Sequence, residues 1–126
     1  MNEDDVLPEV TVDTKITFSE ITPKFVRILD QFAPFGPGNL RPVFWAENVR
    51  IVNNPRIVGT NHLIACFKQN GHEKMFDAIG FNLGHFVEDI ANKNNLIDIV
   101  FTIEKLSKDG RIYPQLRIKD IKIKES

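Results

Sequence analysis

The chain has 126 residues, of which 42% are hydrophobic and 26% charged, and its formal net charge is −1 at pH 7. This composition predicts one soluble globular domain and argues against a strongly basic nucleic-acid-binding chain. The sequence lacks an apolar run of about eighteen residues, and the acidic stretch MNEDDVLPEV has neither the basic nor the apolar region of a secretion signal. We therefore expect a cytoplasmic protein.

The charge is distributed unevenly along the chain. Residues 1–20 carry six acidic side chains and one basic one, whereas residues 21–126 carry fifteen basic and eleven acidic ones. This pattern predicts either a patch that binds a polyanion or sheet edges that lysines protect from aggregation. The basic residues near the end of the chain are Lys105, Lys108, Arg111, Arg117, Lys119, Lys122 and Lys124.

The first predicted elements are an arm and a helix. Glu9–Phe18 alternates apolar and polar residues, which indicates a short strand or an extended arm. Ser19 or Thr22 can cap the helix that follows, and the apolar spacing within Phe25–Phe32 predicts its buried face. We expect this helix to end at Ala33, because a proline comes next.

The stretch APFGPGN, residues 33–39, could be a phosphate-binding loop or a junction between two elements. A nucleotide-binding loop follows a strand and begins a helix, whereas here a helix precedes the loop and a strand follows it. The order of elements favours a junction, in which the prolines fix the path of the chain and the glycines allow it to turn.

The remaining apolar segments predict strands at residues 42–52, 56–69, 74–82, 96–106 and 112–123, with a helix beginning at Leu83. Asn70-Gly71 and Asp109-Gly110 are hairpin-turn dipeptides, and Gly59 and Gly80 suggest bends or bulges within strands. This order predicts a mainly β fold, a five-stranded OB-fold-like Greek-key barrel with a helix between strands 3 and 4, preceded by an N-terminal extended arm and one helix. The pattern alone leaves an SH3-like barrel or a small sandwich open.

The residues also resemble a known family. The runs LDQFAPFGPGNLRPVFWAENVRI, VGTNHLIACF, FDAIGFNLG and GRIYPQLRIKDI are similar to the C-terminal OB-type domain of RecJ, the bacterial exonuclease specific for single strands. The resemblance covers residues 16–123, and Leu40-Arg41 departs from the commoner short step to proline. Its signature residues are Pro34, Phe35, Gly36, Pro37, Gly38 and Asn39.

The resemblance implies a linker or disordered segment at residues 1–8, a connecting arm and helix at 9–40 and an OB-fold domain at 41–126. It implies a domain that binds and guides single-stranded DNA for the catalytic domains of a 5′-3′ exonuclease in DNA repair and recombination. Those domains would hold manganese or magnesium, whereas this chain has none of the family's catalytic motifs and is expected to need no cofactor. A single-strand-binding protein is a further possible partner.

A barrel of this kind binds single strands through aromatic side chains that stack bases and cations that contact phosphates. Trp45 and Tyr113 could stack or pack, whereas Phe67 and Phe81 are expected in the core. Cys66 is expected to be a buried small hydrophobic residue. The candidate nucleic-acid-binding residues are His62, Lys68, Lys74, Lys105, Lys108, Arg111 and Tyr113.

Two other classes of function compete with a binding module. The domain could be mainly architectural, clamping the catalytic domains or docking a protein partner with little DNA affinity of its own. An independent enzyme is disfavoured, because the sequence shows no set of nucleophile, base and orienting group. His62, His72 and His85 also lack the spacing of metal ligands, and Asp89, four residues after His85, is expected to form at most a surface ion pair.

Overall fold

The computed structural model describes residues 14–30, 42–69, 71, 73–92 and 95–124. Within these ranges the chain forms seven strands, two α-helices and two 3₁₀ turns. The strands are β1 (Thr14–Lys15), β2 (Phe44–Ile51), β3 (Arg56–Val58), β4 (His62–Gln69), β5 (Met75–Gly80), β6 (Leu96–Lys108) and β7 (Arg111–Lys124). The helices are α1 (Pro23–Asp30) and α2 (Val87–Ala91), and the 3₁₀ turns are Phe18–Glu20 and Gly84–Phe86.

Five of the strands form a closed ring in the order β2, β6, β7, β5, β4, and β4 pairs back with β2. All neighbours in the ring are antiparallel except β5 and β7, which are parallel. In chain order, the turn Gly84–Phe86 and α2 lie between β5 and β6, which are the third and fourth ring strands along the sequence. The predicted barrel, with its helix in the predicted place, is therefore confirmed, and β1 and β3 are short additions to it.

The arm and first helix agree with the prediction only in part. The strand expected over Glu9–Phe18 is limited to β1 among the described residues, because the chain turns into a 3₁₀ helix at Phe18. Helix α1 begins at Pro23, and the Thr22 hydroxyl accepts a hydrogen bond from the Phe25 N–H at 3.1 Å, so Thr22 is the predicted cap. The expected helix end at Ala33 and the whole APFGPGN stretch lie outside the described residues.

The strand irregularities do not lie at the predicted glycines. Gly59 lies in the turn that separates β3 from β4, with φ +63°. The register shifts occur instead in the pairing of β2 with β6, between Ala46 and Val49, and in the pairing of β6 with β7, at Val100. Gly80 serves close packing, because a Cβ there would lie 2.8 Å from the Leu83 side chain.

Phe18 fills one end of the barrel. Its ring is fully buried and packs edge-on against Phe76 at 5.1 Å and Phe101 at 6.4 Å between ring centroids. The buried Gln69 side chain holds this turn in place: its Oε1 accepts the Phe18 N–H at 2.7 Å, and its Nε2 donates to the Glu47 carbonyl at 2.8 Å. One amide therefore joins the arm to two strands of the barrel.

A backbone hydrogen bond joins the residue before β4 to the 3₁₀ turn that follows β5. The Gly84 N–H donates to the Asn61 carbonyl at 3.0 Å, which attaches the 3₁₀ turn to the start of β4. Gly84 is buried, and a Cβ there would lie 3.2 Å from the same carbonyl oxygen. The fully buried Ile90 of α2 completes the core on this side.

We predict that Gln69→Met lowers the free energy of unfolding by about 2–4 kcal/mol, because it keeps the shape of the side chain but leaves the buried Phe18 N–H and the partly buried Glu47 carbonyl without their partner. Urea unfolding followed by far-UV circular dichroism measures the change. The same substitution at the half-buried Gln115 should cost less than about 0.5 kcal/mol. Equal losses at the two positions would contradict the role given to Gln69.

Candidate nucleic-acid interface

The outer face of β4 and β5 is defined by the alternation of their side chains. Leu63, Ala65, Phe67 and Gln69 are buried in the barrel, so the alternate residues of β4 face outward. The same alternation turns the odd-numbered residues of β5 outward. Two of the predicted site residues, His62 and Lys68, lie on this outer face.

Two arginines flank two isoleucines in a row that crosses four strands. Arg56 of β3 pairs with Ile64 of β4, Ile64 pairs with Ile79 of β5, and Ile79 pairs with Arg117 of β7. We call these four residues the outer row. With strands about 4.8 Å apart, it spans roughly 14 Å. The row therefore presents an apolar centre with a cation at each end.

An exposed aromatic ring lies beside the outer row. Phe81, just after β5, is 43% exposed, and the Arg117 guanidinium lies 4.7 Å from its ring centroid. Glu104 Oε2 accepts a hydrogen bond from Arg117 Nη1 at 3.2 Å and so holds that guanidinium. The His62 ring meets Phe81 edge-on at 5.0 Å, and His62 Nδ1 accepts the Asn82 N–H at 3.3 Å. This cluster is fixed by its own contacts and leaves part of the ring accessible.

The hairpin of β6 and β7 carries three more of the predicted residues. Asp109 and Gly110 have φ of +54° and +77°, which is the two-residue turn that their sequence predicts. Lys108 and Arg111 pair directly across this turn, and Tyr113, 44% exposed, pairs with Leu106. By strand alternation Lys108, Arg111 and Tyr113 share the face of the hairpin that continues to Arg117.

Lys74 and Lys105 lie on a different surface from the other five predicted residues. Both line an apolar groove between α1 and the hairpin. Lys74 Nζ donates to the Ile21 carbonyl at 2.9 Å, which links the start of β5 to the segment before α1. The structure therefore divides the predicted site between the outer face and this groove.

A polar cavity of about 240 Å³ lies next to the outer row. The connection between β2 and β3 provides two amide groups and β3 provides a guanidinium group on one side of it, and β5 and β7 provide a carboxylate and an amide on the other. Such groups can bond to sugars, phosphates and base edges. The polar side chains at this cavity are Asn53, Asn54, Arg56, Asp77 and Gln115.

The aromatic residues are placed differently from the prediction in one case. Phe67 is fully buried as expected, whereas the expected core position of Phe81 is wrong. The alternation in MFDAIGF contained the signal: Asp77 marks the solvent face, and Phe81 has the same parity. Trp45 is partly buried under Lys15, whose Nζ lies 5.4 Å from the ring centroid, away from the outer row. Arg117, which the sequence showed only as part of a basic cluster, is a further candidate residue because it contacts Phe81.

Cys66 lies at the centre of the outer face, where it pairs with Asp77, and not in the core as expected. Burial raises the pKa of the Cys66 thiol, and the Asp77 carboxylate raises it further by repelling the thiolate and by a side-chain hydrogen bond. The thiol is therefore a weak nucleophile despite its partial exposure.

The described ranges hold no group of three or more His, Cys, Asp or Glu side chains that could bind a metal ion. None of the helices described is long and apolar enough to cross a membrane. His85, which the sequence offered with Asp89 as a possible pair, contacts the Phe86 ring at 4.4 Å between centroids.

The ring of five strands, with β5 parallel to β7 and a helix between β5 and β6, defines an OB-fold domain. The sequence matches the RecJ OB domain over residues 12–120, and the chain belongs to this family. Curated proteins give no significant match. A solved structure, the mitochondrial single-stranded DNA binding protein Rim1 from S. cerevisiae, is similar with a TM-score of 0.53 at 15% identity, covering 68% of this chain and 97% of that chain. This similarity shows the shared fold.

We predict that alkylation of Cys66 by iodoacetamide will have its pH midpoint above the ordinary cysteine value of about 8.5. The thiolate forms only at higher pH, because burial and the Asp77 carboxylate both disfavour it. Asp77→Asn removes the repulsion and should move the midpoint downward, as should unfolding in urea. A midpoint that is the same in the folded protein, the variant and the unfolded chain would contradict this account.

Proposed function

We propose that the chain is a single-stranded nucleic-acid-binding domain that holds the strand on its outer face. The observation that carries the proposal is the exposed ring of Phe81, held between Arg117 and His62 at one side of the outer row. The membership of the chain in the RecJ OB domain family supports this function. The similar Rim1 structure is named as a single-stranded DNA binding protein, which also supports it.

The outer face has the two kinds of group that binding to an unpaired strand needs. An unpaired base can stack on Phe81, because every base has a π-face and the ring is preorganised by its neighbours. Arg56 and Arg117 at the two ends of the outer row can contact successive phosphates. The isoleucines between them provide an apolar floor, which disfavours base-specific recognition and favours binding that tolerates any sequence.

The hairpin extends the cationic path beyond the barrel. Lys108 and Arg111 at its tip would contact the phosphate backbone, and Tyr113 on the same face offers a second aromatic surface. Lys68 would contact the strand at the far end of β4. Phosphate contacts by flexible cations provide affinity and little sequence information.

The family further suggests the role of the parent protein. We propose that this domain guides single-stranded DNA to the catalytic domains of a RecJ-like 5′-3′ exonuclease that acts in repair and recombination. The manganese or magnesium needed for hydrolysis would be bound by those domains. The OB domain would contribute a binding track that raises the time a strand spends near the catalytic centre.

We predict that labelled oligo-dT binds the domain weakly, and that affinity falls between about 50 and 200 mM salt, because counterions released from the phosphates gain less entropy as the salt concentration rises. Lys108→Ala and Arg111→Ala should each reduce the slope of log K against log salt by about 0.7 for a single strand. Fluorescence anisotropy measures both. Lys122→Ala, which removes an exposed cation beside Asp98 on another part of the barrel, is the matched control.

The control variant should keep the slope of the unmodified domain. Absence of measurable binding at low salt would overturn the proposed function. A loss in Lys108→Ala or Arg111→Ala that depends on the base sequence would contradict their assignment to phosphates.

We predict that Phe81→Ala weakens binding of oligo-dT by about 1–3 kcal/mol through loss of a stacking surface. The melting temperature should change little, because Phe81 lies outside the buried core. Phe81→Trp should retain binding, since its ring also stacks. Ile57→Ala, at a position 46% exposed on β3, removes a similar apolar area and should leave binding unchanged. Equal losses for Phe81→Ala and Ile57→Ala would count against a stacking role.

A further inference from the structure

The polar cavity beside the outer row is lined by an acidic side chain. Asp77 of β5 lies in its wall and is exposed to solvent. The cavity has a volume of about 240 Å³. Sites for drug-sized ligands usually measure about 300–1,000 Å³, so a cavity of this size suits one planar ring system better than a whole nucleotide. A single base could therefore reach the Asp77 carboxylate.

The pairing of the strands places an amide next to this carboxylate. Asp77 pairs with Cys66 on one side. On the other side, Ala78 pairs in parallel with Leu116 of β7, which puts Asp77 beside Gln115 on the outer face. Asp77 and Gln115 both line the cavity. A hydrogen-bond acceptor with negative charge and an amide that both donates and accepts are thus adjacent.

The charge of Asp77 determines which part of a single strand can approach it. A carboxylate repels phosphate groups, and it accepts hydrogen bonds without donating any. Its partners in a strand are therefore the N–H groups of base edges. Arg56 and Arg117, at the two ends of the outer row, are suited to the phosphates instead.

The four bases differ in the donors that they present to a carboxylate. Guanine has two adjacent donors on its Watson–Crick edge, N1–H and the N2 amino group, which match the two oxygens of one carboxylate. Adenine and cytosine each place an amino group beside a ring nitrogen that is an acceptor, and thymine has one N–H between two carbonyl oxygens. A carboxylate repels these acceptors, so Asp77 favours guanine over the other three bases.

The other groups of the cavity suit the same base. Guanine O6 is an acceptor next to N1–H, and the side-chain amides of Gln115, Asn53 and Asn54 are donors that line the cavity. Ile64 also lines it and offers an aliphatic surface against which the flat face of a base can pack.

We propose that this cavity binds one guanine base of the single strand, with Asp77 accepting hydrogen bonds from N1–H and the N2 amino group and Gln115 donating to O6. This role of the cavity rests on the proposed function and adds a base preference to it. Phe81 lies four residues after Asp77 on the same face, roughly 13 Å away, and would stack a different base. The preference is therefore confined to one nucleotide, and the rest of the outer face tolerates any sequence.

The test compares labelled oligo-dT of about twelve nucleotides, within the usual range of OB-fold site sizes, with strands in which one central thymine is replaced. The replacements are guanine, hypoxanthine, adenine and cytosine, and fluorescence anisotropy with the 126-residue chain at one salt concentration measures each affinity. We expect the guanine strand to bind at least about fivefold tighter than oligo-dT, the lower end of the discrimination that one bidentate contact provides. Hypoxanthine lacks the N2 amino group and should be intermediate, whereas adenine and cytosine should resemble thymine.

Asp77→Asn keeps the shape of the side chain but cannot accept both hydrogen bonds from guanine. The variant should bind the guanine and thymine strands within about twofold of each other. It should bind oligo-dT at least as tightly as the unmodified domain, because a charge that repels phosphates is lost. Its melting temperature should change little, since Asp77 is exposed.

Two control variants separate the carboxylate from its surroundings. Asp89→Asn makes the same change at an exposed position of α2 and should keep the full preference for guanine. Cys66→Ala removes the thiol that pairs with Asp77 and should keep it as well. Loss of the preference in either control would contradict a direct contact between Asp77 and the base.

Equal affinity for all the strands, with binding to oligo-dT intact, would overturn this proposal and leave the proposed function standing. Absence of binding to any strand would overturn both. A guanine preference that persists in Asp77→Asn would contradict the role of the carboxylate. Two further results would assign the cavity to another ligand and so overturn the proposal: Asp77-dependent preference for oligo-rU over oligo-dT, which indicates a 2′-hydroxyl, and binding of dGMP alone as tight as that of the guanine strand.

Discussion

The ring of strands closes because β2 pairs along both of its edges. Phe44, Trp45, Ala46 and Val49 pair with β6, and Val49, Arg50 and Ile51 pair with β4. The pairing with β6 contains a register shift between Ala46 and Val49, where Asn48 has φ +59° and its N–H donates to Asp98 Oδ1 at 3.1 Å. Asp98 is itself buried and lies 3.2 Å from Lys124 Nζ, so the charge that accepts this N–H has a partner. Closure of the barrel thus depends on one residue in the left-handed region and one buried carboxylate.

Closure then determines where functional side chains can lie. Once the inner residues of all five strands meet in a single core, every second residue must face outward, and a strand cannot slip by one position without turning its apolar set to solvent. Arg56, Ile64, Ile79 and Arg117 are aligned across four strands for this reason, although the first and last are sixty-one positions apart in the sequence. The same alternation places Phe81 in reach of Arg117. A face assembled in this way is as rigid as the sheet, so a ligand bound there would not have to order a loop of the protein.

The features that the sequence predicted well are those set by neighbouring residues. The hairpin turn at Asp109-Gly110 follows from two residues that tolerate positive φ, and the cap at Thr22 follows from a hydroxyl three positions before the N–H it binds. The bulge at Asn48 could not be predicted, because its geometry is stabilised by a carboxylate fifty positions away. Strand alternation turns Lys105 and Lys108, three positions apart in the sequence, to opposite faces of the hairpin, but what covers each face depends on distant parts of the chain. Only the position of α1 against the hairpin shows that one of these faces is a groove.

The hairpin of β6 and β7 is long enough to form part of two surfaces. In the barrel one face of each strand is buried, but β6 and β7 continue past the core, where Leu106, Ile112 and Tyr113 are all substantially exposed. Both faces of the ribbon are therefore accessible, one continuous with the outer row and the other with the groove between α1 and the hairpin. Strand alternation assigns each side chain of the ribbon to one of these two surfaces, so Lys108 and Arg111 share a surface with Arg117, whereas Lys105 and Ile112 share the other.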